Sequence, residues 1–365
     1  MELQDTLSPS GISSHYGLRP IYVDSQHIYI HKSGCIYVAS LNLESIRLLS
    51  RLPSENWVLS TFSKRSRLVS RFFRCDVVVC EKFAVEYLMI LRDGCIWQIN
   101  IQSGETVLSL RIPNGRKALS LTSYCFQGEE ILIFGEYFSN PSKSEVGIWL
   151  ITSSLQWRRY SLFSAGLVNH IHSISVVDNQ LFILTGDDNT ASRIWSLDLN
   201  TMSVSPLTPC AQLYRAAWMH QFNGKALYAT DTQLDLNYLC ELDLVSGRST
   251  KLCSLPGSSI YAASSSHALF FSTSVECDEP GPSLVRNLLD VRRGPGILDD
   301  YSRVYMLGKD MLPRLLYIDK KDFLPHRLFR FGSFTFPAGS MPESQLFCFG
   351  ESLVNSDNVL LSIPL

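Results

Sequence analysis

The sequence lacks long hydrophobic runs and shows almost no helical periodicity. No stretch of about 18 apolar residues occurs, so no transmembrane segment is expected. The N-terminal segment MELQDTLSPSG carries acids and no apolar core, which is not the pattern of a signal peptide. These absences predict a cytoplasmic protein, or a periplasmic or secreted one if a signal peptide has been removed.

The sequence also lacks a charge excess and paired cysteine motifs. Its formal net charge is −2 and 18% of its residues are charged, so no overall attraction for nucleic acid or an anionic membrane is expected. The ten cysteines include no Cys-x-x-Cys pair and lie mostly in apolar runs. Buried free thiols are therefore favoured over disulfides or a zinc knuckle.

What the sequence does contain is a recurring unit of two short strands joined by a polar turn. Copies of the unit begin at Cys35, Cys95, Gly147, Arg193, Tyr238 and Leu315. Inner strand pairs precede them, for example at residues 118–122 with 131–135, 170–176 with 181–185, and 216–221 with 226–230. The middle units recur about every 40–50 residues, the length of a four-stranded propeller blade. The sequence therefore predicts an all-β fold, with one β-propeller of four-stranded antiparallel blades over residues 1–365.

The two ends of the chain decide how many blades are predicted. The tail supplies three further strands, at residues 334–337, 345–349 and 359–364. If the segment before Arg19 adds a fourth, a seventh blade closes and no sheet edge stays exposed. If the tail instead completes the first blade, the propeller has six.

Two segments interrupt the repeat. Residues 277–313 are rich in Gly, Pro and charge, and they are predicted to form an insertion in the sixth blade. Residues 64–74 read KRSRLVSRFFR. This basic run is either a solvated approach to blade two or a cationic wall for an acidic ligand.

The candidate site is built around one predicted hairpin, NHIHSISVVDNQLFILTGDD at residues 169–188. Alternation along a strand places His170 and His172 on one face, and the returning strand brings Asp187 and Asp188 to the same end. Only one of the two acids can share the histidines' side. In a propeller, the start of each inner strand and the end of the next strand lie on one face of the disc. That rule gathers further candidates: Glu136, Tyr137, Tyr214, Arg215, Asp231, Tyr261 and Glu276.

Three interpretations of the two histidines stay open. They could be core residues bonded to the neighbouring backbone. They could bind one Zn²⁺ or Mn²⁺ ion together with a carboxylate such as Asp187 or Glu136. They could also act as general acid and base, because histidine titrates near neutral pH.

The pair Tyr214-Arg215 suits an acidic sugar. An arginine can hold a carboxylate bidentately, and a neutralised carboxylate acidifies the proton on the neighbouring carbon. A tyrosine or histidine could then remove that proton or protonate the leaving oxygen, which is β-elimination. Hydrolysis would instead use two of the candidate carboxylates. The prediction assigns catalysis to His170, His172, Tyr214 and Arg215, and substrate binding to the other candidates.

The succession FGEYFSN, IWLITSSLQW, HIHSI, TGDDN, YRAAW, ATDT and STSVE, within residues 131–276, resembles sialidase-like β-propeller proteins with Asp-box-type repeats from bacterial polysaccharide metabolism. This resemblance implies the fold but not sialidase activity, because no arginine triad is recognisable. The same face is similar to that of propeller polysaccharide lyases, which use His, Tyr and Arg there and in which an H-x-H pair can bind the metal. That second resemblance implies roles for His170, His172, Tyr214 and Arg215.

The leading hypothesis is a carbohydrate-active propeller that acts as a lyase, or as a glycoside hydrolase, on an acidic, uronate-containing polysaccharide or oligosaccharide. A divalent metal, zinc or manganese, is the one cofactor considered. The alternative is a non-catalytic glycan-binding or assembly protein in polysaccharide biosynthesis. A third hypothesis is a protein-interaction platform that uses the opposite face or residues 277–313.

Overall fold

The structure is a computed structural model that describes residues 11–53, 57–113, 117–278, 281 and 283–365, with residues 57–60 described by their backbone alone. The strands are β1 (Ser13–Tyr16), β2 (Arg19–Val23), β3 (His27–Lys32), β4 (Cys35–Ser40), β5 (Ile46–Arg51), β6 (Val79–Phe83), β7 (Tyr87–Arg92), β8 (Cys95–Asn100), β9 (Thr106–Arg111), β10 (Thr122–Phe126), β11 (Glu129–Gly135), β12 (Val146–Ile151), β13 (Trp157–Phe163), β14 (His170–Val177), β15 (Gln180–Gly186), β16 (Arg193–Asp198), β17 (Ser203–Pro206), β18 (Ala216–Phe222), β19 (Lys225–Thr230), β20 (Asn237–Leu242), β21 (Ser249–Leu255), β22 (Ala262–Ser264), β23 (Leu269–Thr273), β24 (Tyr301–Leu307), β25 (Pro313–Lys320), β26 (Ser333–Thr335), β27 (Ala338–Gly339), β28 (Gln345–Glu351) and β29 (Val359–Pro364). The helices are α1 (Trp57–Arg65), α2 (Arg67–Phe72), α3 (Leu284–Leu288) and α4 (His326–Phe329), with a 3₁₀ turn at Gln212–Tyr214.

Seven sheets, each with four antiparallel strands, form the blades of a propeller, so the predicted fold class and the seven-blade count are confirmed. Blades one to six use consecutive strands, from β2–β5 in blade one to β22–β25 in blade six. Blade seven consists of β26, β28, β29 and β1. The short β27 adds a parallel pairing to β2 of blade one.

The ring closes because the two ends of the chain share blade seven. β1 pairs antiparallel with β29, and Ser13 faces Ser362. Charged side chains support the same junction, since Arg19 of blade one and Arg330, which precedes β26, both form ion pairs with Glu351 at the end of β28. The N-terminal strand therefore covers an edge that would otherwise offer free backbone groups.

The inner strands are apolar on both faces because each face packs against a different blade. In β15, Ile183 packs in the cluster shared with blade three, whereas Phe182 and Leu184 pack in the cluster shared with blade five. The turn before β15 has Asp178 and Asn179 at φ 48° and 56°, the left-handed conformation that a two-residue hairpin of this twist requires. Local turn chemistry and burial thus set the register that brings the two ends of the β14–β15 hairpin together.

Blade six differs from the sequence-based prediction. β24 lies inside residues 277–313, so the connection between β23 and β24 covers residues 274–300. The unit beginning at Leu315 was predicted as an outer hairpin and is not one: it contains most of β25, whose hairpin partner is β24, and then helix α4. The aromatic pattern of Leu-Tyr-Ile matched the repeat, but Pro325 and the following residues turn into a helix.

Residues 64–74, the basic run, contribute to helices α1 and α2 between blades one and two. All ten cysteines lie within the described residues and are free thiols, six of them buried. None of the helices in the described ranges has the length and apolar character that a bilayer span requires.

Candidate functional site

The candidate site lies where β14 begins and β15 ends, in blade four. His170, the first residue of β14, pairs with Gly186, the last residue of β15. The register of this ladder shifts between Ile171 and Ser173, so His172 occupies an irregularity in the strand. The two imidazole rings nevertheless lie side by side, with their centroids 5.1 Å apart.

Three potential ligand atoms converge at this point. The Nε2 atoms of His170 and His172 are 3.1 Å apart, and Oδ1 of Asp187 lies 3.3 Å from the first and 3.5 Å from the second. An ion with bonds of about 2.0–2.1 Å and tetrahedral angles holds its ligand atoms about 3.3 Å apart. The spacing therefore matches that of three ligands around one small divalent ion.

The opposite side of each imidazole ring is held by the backbone. Nδ1 of His170 lies 3.1 Å from the carbonyl oxygen of Phe138, and Nδ1 of His172 lies 3.1 Å from that of Ala216. A carbonyl oxygen only accepts hydrogen bonds, so each Nδ1 donates and each neutral ring presents the lone pair of Nε2. When both rings are neutral, two lone pairs and a carboxylate oxygen meet with no hydrogen between them, an arrangement that a cation stabilises.

The pKa values of His172 and Asp187 are both held below their usual ranges. Burial lowers the pKa of His172, and the nearby His170 and Arg215 lower it further against the opposing effect of Asp187. Burial raises the pKa of the Asp187 carboxyl, but its interactions with His170 and His172 outweigh this and hold the pKa below its usual range. The side chain of Asp187 is 46% exposed, whereas the histidine side chains are almost fully buried. The open side of the cluster therefore faces solvent through Asp187.

Blade five supplies an arginine beside the cluster. Arg215 donates from Nη1 to the carbonyl oxygen of Asp187 at 3.2 Å and to Oε1 of Gln233 at 3.0 Å. Its Nη2 lies 3.7 Å from Oδ1 of Asp187. Gln212 also donates to the carbonyl oxygen of Asp187. Arg215 therefore contacts both the backbone and the carboxylate of Asp187, and Gln212 contacts its backbone.

Two buried acids lie behind Arg215. Burial and repulsion from Glu276 raise the pKa of Asp231 to about 8. Burial likewise raises the pKa of Glu276, although Arg215 and Ser258 oppose the shift. Oδ1 of Asp231 and Oε2 of Glu276 form no hydrogen bond with a described residue. At neutral pH this pair keeps a proton. Its two unsatisfied oxygens can still form hydrogen bonds with a ligand next to the cluster.

The tyrosine beside the histidines is Tyr137. Its ring centroid lies 4.2 Å from that of His170. Burial and the charge of Asp187 raise the pKa of Tyr137 to about 12, so its hydroxyl stays protonated at neutral pH. Tyr214, which the sequence predicted as catalytic, instead packs in the apolar cluster between blades four and five with Leu184 and Tyr228. The 3₁₀ turn at Gln212–Tyr214 directs it away from the start of the strand, which alternation could not reveal.

Three further predicted substrate-binding residues have other surroundings. Glu136 is fully buried and accepts hydrogen bonds from Gly147, Trp149 and Arg159, so it serves the packing of blade three. Asp188 caps its own turn by accepting from Thr190 and Ala191. Tyr261 lies between Asp231 and the Arg19–Glu351–Arg330 cluster, and burial raises its pKa. Of the predicted set, the structure brings together His170, His172, Asp187, Arg215, Tyr137, Asp231 and Glu276.

Sequence reasoning missed the glycine and the amides that shape the cluster. Gln212 and Gln233 hold Asp187 and Arg215, but neutral amides carry no signal of reactivity. Gly186 lies in the TGDD run beside the predicted acids, but no role was predicted for it. A Cβ atom at Gly186 would lie 2.5 Å from Cε1 of His172 and 3.1 Å from Cγ of Arg215.

Replacing Gly186 by alanine is therefore expected to displace the His172 ring and weaken divalent-metal binding at least tenfold, by roughly 1.4 kcal/mol or more. Metal titration by calorimetry measures the effect, and circular dichroism checks the fold. Gly308→Ala is the matched control, because a Cβ atom there meets only a side-chain oxygen of Asp310 at 3.4 Å. Metal affinity equal to that of the wild type in Gly186→Ala would contradict the role given to this glycine.

Comparisons with known proteins bear on the fold. No family model matches the chain, and no curated protein matches it in sequence. Among solved structures, the β-propeller domain of Cps50 (Swd1) from Myceliophteria thermophila is similar, with a TM-score of 0.57 and 8% identity over 98% of this chain and 99% of that one. A chain of the mitotic checkpoint complex is similar with a TM-score of 0.56 and 9% identity, over 100% and 97%. The shared feature is the β-propeller. At such identities the likeness shows the fold alone.

Proposed function

We propose that this protein is a metal-dependent, carbohydrate-active propeller that acts on an acidic, uronate-containing polysaccharide or oligosaccharide by β-elimination. The observation that carries the proposal is the convergence of His170 Nε2, His172 Nε2 and Asp187 Oδ1 with both Nδ1 atoms engaged by carbonyl oxygens. Two imidazoles and one carboxylate suit zinc, manganese or iron(II). The backbone partners of the two rings are the orienting contacts that metal-binding histidines use.

A metal at this position would leave coordination sites open toward solvent, because Asp187 is the exposed member of the three. A uronate carboxylate can fill such a site, and the positive charge of the ion and of Arg215 would neutralise it. Neutralisation acidifies the proton on the adjacent carbon. The substrate class in the proposal follows from this pairing of a cation site with an arginine.

The reaction needs a base and a proton donor. The base removes the proton from the carbon next to the carboxylate, the electron pair forms a carbon–carbon double bond, and the bond to the leaving oxygen breaks. The leaving oxygen then takes a proton. In this proposal Tyr137, which is protonated beside His170, donates that proton, and the Asp231–Glu276 pair behind Arg215 acts as the base. This assignment replaces Tyr214 and frees the histidines to hold the metal.

The test is turnover of a panel of uronate-containing glycans by metal-loaded protein, followed by the ultraviolet absorbance of the unsaturated product. Tyr137→Phe is expected to lower turnover at least about 100-fold while glycan binding is retained. Tyr124→Phe is the matched control, since that hydroxyl donates to the carbonyl oxygen of Asn179 at an exposed position of blade three. Unchanged turnover in Tyr137→Phe would remove this residue from the mechanism.

The alternative is a non-catalytic glycan-binding or assembly protein. It is favoured by the commitment of Arg215 to Asp187 and Gln233, which leaves that arginine less free to act on a substrate. Binding of a uronate glycan without product from any substrate would establish this alternative. If metal-loaded protein neither binds nor cleaves any uronate glycan, both hypotheses are overturned.

A further inference from the structure

A polar cavity, the blade-one cavity, lies between blades seven, one and two, beneath the α1–α2 pair. Its volume is about 430 Å³. Arg19 and Lys32 of blade one, Arg92 of blade two and Asn358 of blade seven contribute to its walls. The His170–His172–Asp187 centre belongs to blade four, so the blade-one cavity occupies a different sector of the ring.

The walls of the blade-one cavity are strongly cationic. One carboxylate, that of Asp76, faces six cationic side chains: Arg19, Lys32, Lys64, Arg65, Arg67 and Arg92. His31 also lines the cavity but stays neutral, because burial and the neighbouring Arg92 and Arg19 lower its pKa to about 3. Its Nε2 atom accepts a hydrogen bond from the backbone N–H of Gly34, which requires that the atom carry no proton.

Two of the six cations are already engaged by acids. Arg67 binds Asp357 bidentately, with both distances 2.9 Å, and also contacts Asp76. Arg19 is paired with Glu351. By contrast, Lys32, Lys64 and Arg65 form no ion pair with any carboxylate in the described ranges, and all three side chains are exposed at the lip of the cavity.

Arg92, the last of the six cations, is buried. It is 6% exposed, and its Nε atom forms no hydrogen bond within the part of the chain that the structure describes. The carboxylate of Asp93 lies 3.5 Å from that atom but is itself 59% exposed. A buried guanidinium N–H without an acceptor is costly, so an anionic ligand oxygen at this position would be stabilising.

Helix α2, which borders the cavity, is fixed in place before any ligand binds. Arg71 of α2 donates twice to the carbonyl oxygen of Phe329, at 3.0 and 2.7 Å, and once to Asp322. Gly34, at φ +80°, lets the chain turn beneath Arg92, since a Cβ atom there would lie 3.0 Å from Nη1 of Arg92. The buried side chain of Arg92 therefore loses little further freedom on binding.

We infer that the blade-one cavity binds a small molecule that carries two phosphate groups. Lys32, Lys64, Arg65 and Arg92 present four positive charges that no carboxylate of the described residues approaches more closely than the 3.5 Å between Asp93 and Arg92. A phosphate group carries a charge of about −1.5 to −2 at neutral pH, so two groups match these four cations and a single carboxylate does not. The planar guanidinium of Arg92 suits two oxygens of one phosphate, and the lysines suit the rest as point charges. The volume lies within the range of about 300–1,000 Å³ typical of small-ligand sites.

This inference is independent of the proposed function, and the experiment keeps the two apart. Pyrophosphate is titrated into metal-free His172→Ala protein by calorimetry, in a buffer without phosphate, so that chelation at blade four cannot contribute. Pyrophosphate is expected to bind at one equivalent and at least tenfold more tightly than sulfate. Lys64→Gln/Arg65→Gln is expected to weaken binding at least tenfold, and Arg92→Gln at least as much.

The matched control is Arg248→Gln/Lys309→Gln, which removes the same two charges from exposed positions of blades five and six. It should change the affinity less than twofold. The inference is overturned if pyrophosphate binds no better than sulfate, or if the control variant loses as much affinity as Lys64→Gln/Arg65→Gln. If Arg92→Gln fails to fold, the exposed double variant alone decides the result.

Discussion

The wild-type protein is expected to bind one equivalent of zinc or manganese, and His172→Ala is expected to lower that affinity at least about 100-fold. The reason is that His172 supplies one of three ligand atoms, and loss of even an orienting partner commonly costs 10–100-fold in affinity. Because the imidazoles bind a metal only when they are deprotonated, the affinity should also fall as the pH drops. Elemental analysis after dialysis and calorimetric titration measure both effects.

A thermal melt gives a second measurement of the same site. Metal at about 100 times the wild-type dissociation constant should stabilise the wild-type protein by about 2.7 kcal/mol and His172→Ala by no more than about 0.4 kcal/mol. His267→Ala is the matched control, because it removes an exposed imidazole from blade six. A wild-type protein that binds no zinc, manganese or iron(II) would remove the metal from the proposed function, and a His172→Ala protein with full affinity would place it elsewhere.

Glu136→Gln is expected to destabilise the fold by about 3–5 kcal/mol, without weakening metal binding in the folded protein. The carboxylate of Glu136 is 0% exposed and accepts from Arg159 at 2.7 and 3.0 Å, from the indole of Trp149 at 3.1 Å and from the backbone of Gly147 at 2.9 Å. Breaking a buried ion pair by removing one partner leaves the other charge uncompensated. The glutamine side chain would also direct its own N–H donors at partners that are themselves donors. Urea unfolding measures the change in the free energy of unfolding.

The chain offers a closely matched control at the same arginine. Glu145 accepts from Nη1 of Arg159 at 2.9 Å, but its side chain is 52% exposed. Glu145→Gln should therefore cost no more than about 1 kcal/mol. If Glu136→Gln proved as stable as the wild type yet lost glycan or metal binding, the sequence-based assignment of Glu136 to the substrate would be restored.

The blades could be predicted from the sequence because their signals are local. Period-two apolar runs, turn residues such as those at 178–179, and a repeat length of about 40–50 residues each act within one blade. The end strands that close blade seven could be anticipated because an unpaired edge is costly. Blade six was mispredicted at residues 277–313 and at the Leu315 unit, since a long connection hides β24 and α4 interrupts an apparently regular repeat.

The candidate site could be predicted only in part. Strand ends give the chain positions of His170, His172 and Asp187 but not their distances. Asp187 and Asp188 are neighbours in sequence, and the structure shows that the first meets the histidines while the second caps its turn. Tyr137 lies beside His170, whereas Tyr214 lies in the core, because a 3₁₀ turn, which strand alternation does not contain, directs it there.

The sequence alone determined the propeller, the strand-turn pattern of most blades and the basic character of residues 64–74, because these depend on residues close together in the chain. Only the tertiary structure decided that two imidazole nitrogens and one carboxylate oxygen meet within 3.5 Å, and that the buried Arg92 shares a cavity with lysines that pair with no described carboxylate. Both sites combine side chains from different strands, turns or blades. The spacing of His170, His172 and Asp187 is set by the pairing of β14 with β15 inside blade four, whereas the blade-one cavity depends on how blades seven, one and two pack together.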